Sequence, residues 1–340
     1  MGQRVILHVG AMKSGTTYLQ ELMFANKRVL AERGVLVPGR TWRDQASAVK
    51  DVLGLSVARW GDNSGSWRSL VEEIAAHDGT AVVSMEFLGP APPAVIERIA
   101  GQWDDLTVVI SARDINRGMA SLWQETVQKG RAWTFADYVA GARESRPRAS
   151  RRPEDVTTAG RTFWRQQNVV RLCRNWSTSG SPVVLVTVPP PGAPREVLRD
   201  RFLSVMGVSA TGLVPAPNSN ESIGAVSAQV LRRVNELLDQ AGLGWPHGEH
   251  LRKAVLARTV MAPRRRSEPA IGLPVAPWVE EHAATMVARL QQLDVQLVGE
   301  WSDLTPVEVP GVDPATVDTA EIAETACAAL AGLIAEQIRR

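Results

Sequence analysis

Residues 10–18 read Gly-Ala-Met-Lys-Ser-Gly-Thr-Thr-Tyr. Two glycines five apart permit a tight backbone path, and the residues after Gly15 open a helix. A strand, a glycine-rich turn and a helix start together aim several backbone N–H groups at one anion, and the helix dipole favours negative charge there. Thr16 and Thr17 add hydroxyl donors, and Lys13 adds a positive charge. The chemistry suggested is phosphate binding. A nucleoside-triphosphate loop, however, reads G-x-x-x-x-G-K-[ST], with the lysine directly after the second glycine. Here Thr16 holds that place and the lysine stands at 13. Lys13 would therefore reach outward, toward the group beyond the cradled phosphate.

The elements that must hold this loop follow from periodicity. "RVILHVG" (4–10) is short, branched and apolar on both faces, as a central parallel strand should be. Apolar residues from Leu19 to Leu30 then recur at helical spacing. "TAVVSME" (80–86), "LTVVISARD" (106–114) and "PVVLVTV" (182–188) are further strands. A helix is expected over 93–100, opened by proline, and another around 118–128. Alternating strands and helices predict an α/β fold: a P-loop-like central parallel sheet flanked by helices. The second half is mostly helical. "WRQQNVVRLCRNW" (164–176), "REVLRDRFLSVMGV", "SIGAVSAQVLRRVNELLDQAG" and "PWVEEHAATMVARLQQLD" all carry apolar residues at helical spacing. "VPAPNSNES" (214–222) and "EVPGVDPATVD" (308–318) read as loops. Residues 1–305 are expected to form the α/β domain, and 306–340 a C-terminal loop and amphipathic helix.

"HVGAMKSGTTYLQ" resembles the 5′-phosphosulfate loop of sulfotransferases that use 3′-phosphoadenosine 5′-phosphosulfate (PAPS), of the bacterial, cytosolic type. The resemblance implies that Ser14, Gly15, Thr16 and Thr17 hold the 5′-phosphate, that Lys13 contacts the oxygen bridging phosphate and sulfate, and that Tyr18 stands near adenine. It implies no metal: a sulfuryl group carries less charge than a γ-phosphoryl group, and a lysine on the leaving bridge oxygen can stabilise the charge that builds there. The family's second signature, an arginine followed eight residues later by a serine, is matched by Arg113 and Ser121 in "ISARDINRGMASLW". A guanidinium binds phosphate through paired donors, and the serine can add a hydrogen bond to the same 3′-phosphate. Arg117, one turn before Ser121, is a weaker candidate for that anion. The family's base comes from the end of the strand between the two signatures, which here carries Glu86. Ends of parallel strands on the carboxyl edge face the ligand crevice. The match covers about the first 125 residues.

The expected reaction moves a sulfuryl group to a hydroxyl or amine of a small-molecule, lipid or sugar acceptor, leaving 3′,5′-bisphosphoadenosine. His8, inside the first strand, is the alternative base, though a histidine in an apolar strand is more often a core residue supporting the loop from behind. Two rival functions stay open. A phosphotransferase using ATP and Mg²⁺ would show metal-dependent ATP turnover. A non-catalytic nucleotide-binding module would bind PAPS without transfer.

The bulk composition sets further bounds. The chain has 340 residues and a formal net charge of +2, which makes no electrostatic case for a nucleic-acid partner. Basic residues cluster at Arg143–Arg152 and Arg264–Arg266 and read as solvated loops; the second could cover the nucleotide. Two cysteines, Cys173 and Cys327, lack metal-ligand spacing and exclude a disulfide framework. No stretch approaches the roughly 18 apolar residues of a membrane span. Ile6 stands where a myristoylation signal from Gly2 needs Ser or Thr. The expected location is the cytoplasm.

Overall fold

The computed structural model describes residues 3–55, 62–147, 157–216 and 222–339. Gly2, the basic residues 148–152 and most of the 214–222 loop lie outside them. In chain order the elements are β1 (Arg4–His8), α1 (Thr16–Ala25), α2 (Lys27–Ala31), β2 (Val35–Leu36), α3 (Trp42–Val52), α4 (Ser66–Ala75), β3 (Thr80–Ser84), α5 (Pro93–Ala100), β4 (Leu106–Ala112) and α6 (Ile115–Gln128). There follow α7 (Phe135–Glu144), α8 (Thr158–Gln167), α9 (Val169–Ser177), β5 (Val183–Thr187), α10 (Arg195–Met206) and α11 (Ala225–Gln240). The chain ends with α12 (Pro277–Leu290), β6 (Gln296–Val298) and α13 (Thr319–Ile338). It divides into two compact units: residues 1–114, 166–218 and 281–305 form the first, and 115–165, 219–280 and 306–340 the second.

The first unit is built on a six-stranded sheet in the order β2-β3-β1-β4-β5-β6. Every pairing is parallel. Strand side chains alternate, so each strand feeds two cores. On one face Val5, Leu7, Val83, Val108 and Leu185 pack with residues of α3, α4, α5 and α9. On the other, Ile6, Val82, Val109 and Val184 pack with Leu19 and Met23 of α1 and Phe202 and Met206 of α10. Burial on both faces explains why these strands read as continuous apolar runs; all seven residues of β4 are buried. Proline at the start of α5 costs little, because the first-turn N–H has no partner in any helix.

Two strands and several helices exceed the sequence expectation. β2 has two residues and β6 three, too few to show a period. The helix expected over 164–176 is two helices. The Asn168 side chain accepts a hydrogen bond from Arg171 N and starts α9 afresh. Arg264–Arg266, expected as a solvated loop, lie unburied in a 3-10 turn, Ala262–Arg266, where Arg264 pairs with Glu268 at 3.3 Å and donates to Thr325.

The second unit is helical. Aromatic rings from α6, α7 and α8 interleave, with Trp123 5.0 Å from Phe135 and Phe163 4.8 Å from Trp164. Asn235 of α11, fully buried, donates to the carbonyls of Val127 and Arg131 and so satisfies the end of α6. No helix among the described residues is long and apolar enough to cross a membrane.

Asp303, in the turn after β6, ties the first unit's far edge together. Its carboxylate accepts from Thr187 Oγ1 of β5 at 2.5 Å, Arg201 Nη1 of α10 at 2.7 Å and Glu300 N at 3.0 Å. Removing one member of a buried pair strands the other charge. Asp303→Ala is therefore expected to cost about 3–5 kcal/mol, read from the urea midpoint. An unchanged midpoint would show that the network carries no stability.

Candidate phosphate-binding site

The loop between β1 and α1 is held from below by the sheet. The β1–β4 ladder runs on past the strand end: Val9 N donates to Val109 O, Ala11 N to Ser111 O at 2.7 Å, and Ser111 N to Gly10 O at 2.5 Å. Gln167, 4% exposed, donates to Met12 O at 2.6 Å. The backbone then turns sharply. Lys13 has φ 61°, in the left-handed region that few side chains adopt, a form of strain concentrated at functional sites. Gly15 follows at φ 78°, where glycine alone is unstrained. A side chain there would also strike Leu198 of α10, at 2.5 Å from the Cβ position.

Gly15 precedes α1 and no side chain caps that helix. Its first-turn amides have no carbonyl one turn earlier to bond. Ser14 is 1% exposed, and its Oγ has no hydrogen-bond partner. A buried hydroxyl left unbonded costs about 1–3 kcal/mol. An oxyanion seated on the loop would offset that cost. Thr16 is buried, Thr17 exposed and Lys13 half-buried. Tyr18 packs partly against the α1–α10 core, and its hydroxyl is pushed up from the usual range by burial, with Arg199 acting against the shift.

Glu86 begins a 3-10 turn two residues after β3. The loop reaches it directly: a side chain at Gly10 would lie 3.7 Å from Glu86 Cβ. Gln20, 4% exposed on α1, donates through Nε2 to Glu86 Oε2 at 2.9 Å and to Ser84 O at 3.0 Å. Helix α1 thus presents the loop's first-turn amides and also orients the carboxylate. Arg113, half-buried, stands one residue beyond β4 and two beyond Ser111, whose backbone bonds the loop. The loop, Glu86 and Arg113 therefore leave the carboxyl ends of three neighbouring strands, β1, β3 and β4. Ser121 and Arg117 lie on α6, in the second unit, and are half-buried there.

Sequence reasoning missed Gln20, Ser84, Ser111 and Gln167. The signal for three of them was present: Gln20 falls on the face of α1 shared by Leu19 and Met23, and the two serines interrupt apolar strands. Gln167 carried no such mark. A hollow of about 430 Å³ lined by Arg4, Thr107, Pro182 and Gln296 lies at the amino ends of the strands, on the opposite edge of the sheet. Among the described residues no group of three His, Cys, Asp or Glu could hold a metal ion.

His8 is fully buried between the two serines. Ser111 Oγ donates to Gly10 O at 3.1 Å, so it accepts from His8 Nε2–H at 3.0 Å. Nδ1 then accepts from Ser84 Oγ at 2.8 Å. The imidazole is a neutral strap joining β3, β1 and β4 under the loop, with both nitrogens engaged.

Comparison with known proteins returns no matching family model, no matching curated protein and no matching solved structure.

Desolvation lowers the His8 pKa to about 3, from an ordinary value of 6.5. Below about pH 6.5 the unfolded chain takes up a proton that the folded chain refuses until about pH 3. Stability should thus fall with pH through that window, by up to about 1.4 kcal/mol per unit. His8→Gln keeps a donor and an acceptor but does not titrate, so denaturant midpoints between pH 7 and 4 should lose this slope. Identical slopes in both proteins would remove His8 from the linkage.

Proposed function

We propose that the protein is a sulfotransferase that moves a sulfuryl group from PAPS to a hydroxyl or amine of a small-molecule, lipid or sugar acceptor. The observation that carries this reading is the convergence of a strained lysine-bearing loop, a carboxylate and an arginine on the ends of three adjacent strands, with the unbonded Ser14 hydroxyl inside the loop. When bound, PAPS supplies a sulfuryl group activated by its anhydride link to phosphate.

In this reading the amides of Gly15, Thr16 and Thr17, with the hydroxyls of Ser14 and the threonines, hold the 5′-phosphate. The Arg113 guanidinium takes the 3′-phosphate through paired donors. Lys13 sets its charge at the bridge oxygen, the part played by a divalent cation in nucleoside-triphosphate enzymes. Glu86 accepts the acceptor's proton, and Gln20 keeps its carboxylate from rotating away. Placing the base against the loop brings the proton acceptor close to the sulfuryl donor, which is the geometry the chemistry needs.

The nucleotide assignment can be tested before any acceptor is known. By calorimetry, 3′,5′-bisphosphoadenosine should bind far more tightly than 5′-AMP, and Arg113→Ala should remove most of that preference. Equal affinities for the two nucleotides in the wild-type protein would overturn the reading.

Chemistry and binding separate in a second pair of variants. An acceptor is found first, as a gain of about 80 Da, the mass of SO₃, in a metabolite extract incubated with PAPS. Glu86→Gln should then keep near-normal affinity for the bisphosphate and lose about 10²–10⁴ in turnover. Lys13→Ala should lower both, because its contact exists in the ground state and strengthens as charge develops. Wild-type turnover in Glu86→Gln would place the base elsewhere.

A further inference from the structure

Helix α10 of the first unit runs back along the sheet and ends over its amino edge, where Gly207, at φ 71°, takes the left-handed turn that closes a helix without strain. Residues two apart in a strand share a face. Arg4 shares one with Ile6, Thr107 with Val109 and Val184 with Val186. Ile6, Val109 and Val186 pack with Phe202 and Met206 of α10. Arg4, Thr107 and Val184 stand on the amino side of that core. They line the hollow of about 430 Å³, together with Val205 and Gly207 at the end of α10. A volume of that size suits a small ligand.

The hollow has three kinds of wall. The first is cationic. Among the described residues that line it, Arg4 alone is charged, and it forms no ion pair. Its Nη2 donates to Thr107 Oγ1 at 3.4 Å, and its other guanidinium N–H groups bond nothing among the described residues. Thr107 is 6% exposed, and its hydroxyl proton goes to no acceptor among them either. A carboxylate facing both side chains would take charge-assisted bonds from the guanidinium and one from the hydroxyl. The second wall is the opposite pole. Gly207 N and Val208 N cap the carbonyls of Ser204 and Leu203. Those of Val205 and Met206 accept no hydrogen bond among the described residues, and the helix dipole adds partial negative charge there. The third wall is apolar, made by Pro182, Val184, Val205 and Val298. A lone carboxylate would suit Arg4 and face the negative end of α10. A lone amine would suit that end and face Arg4. A molecule carrying both charges a few bonds apart suits both.

We infer that the hollow binds a free amino acid with an aliphatic side chain, as its zwitterion. The carboxylate rests on Arg4 and Thr107, the ammonium group on the last carbonyls of α10, and the side chain against the valines. The site lies on the opposite edge of the sheet from residues 10–18 and uses neither Lys13, Glu86 nor Arg113, so its occupancy can be measured whatever the chemistry of the loop.

Amide NMR of the isotope-labelled full chain, titrated with L-leucine, should show saturable shifts at Thr107, Val184 and Gly207 and none at residues 13–18. Isocaproate, which is leucine without its amine, and isoamylamine, which is leucine without its carboxylate, should each bind at least about tenfold more weakly, the loss expected for one charge-assisted contact. Arg4→Met and Thr107→Val should weaken leucine by a similar factor with an unaltered thermal midpoint. Val205→Phe, which fills the hollow from the helix side, should abolish the shifts. No saturable shift at these amides overturns the inference. Either half-molecule binding as tightly as leucine overturns the zwitterion, and unchanged leucine binding in Arg4→Met or Val205→Phe overturns the location.

Discussion

The continuation of the β1–β4 ladder beyond the end of β1 is the constraint on which the site rests. A glycine-rich turn by itself is the least determined part of a chain, because glycine loses the most freedom on ordering. Here hydrogen bonds from both directions between Gly10–Ala11 and Ser111 extend the sheet into the turn. Gln167 takes the carbonyl of Met12. The chain is then committed to a left-handed step at Lys13 and Gly15 before α1 can begin. Strain at Lys13 persists because the sheet on one side and the helix on the other over-determine it.

Beneath that turn the polar residues of the strands act as one unit. Ser84, His8 and Ser111 sit on β3, β1 and β4, and their side chains link three strands in a single row that ends on the carbonyl of Gly10. Three polar groups in an apolar sheet would be costly if any went unbonded, so each depends on the other two. The row also defines the tautomer of His8 and engages both of its ring nitrogens. Glu86 is oriented by an independent device, Gln20, which reaches from the helix that follows the loop. Loop and carboxylate are thereby referred to the same helix, so they cannot drift apart without moving α1.

Much of the fold could be read along the chain, for a physical reason. Strands buried on both faces must be apolar throughout, and helices packed on a sheet must repeat every three or four residues. Both patterns are local, and the four long strands show them. β2 and β6 escaped because a strand of two or three residues has no period; each exists only because a neighbour offers its edge. Asn168 shows the converse. Its neighbours continue a helical apolar pattern, yet its side chain bonds Arg171 N and restarts the helix, a choice between local hydrogen bonds that spacing does not report.

The sequence alone determined the α/β class, the loop at 10–18, and the candidacy of Lys13, Glu86 and Arg113, because residue type and order carry those. It also held the amphipathic pattern of α13, silent on which face would be packed. Tertiary structure decided that Glu86 lies against the loop, that Gln20 rather than a sequence neighbour holds it, and that His8 is a strap. Those outcomes depend on strand order: β1 lies between β3 and β4, and that adjacency joins residues about 75 and 100 positions apart. Pairing across such separations is set by the folded sheet, whose hydrogen-bonding groups are the same at every residue and leave no mark on the sequence.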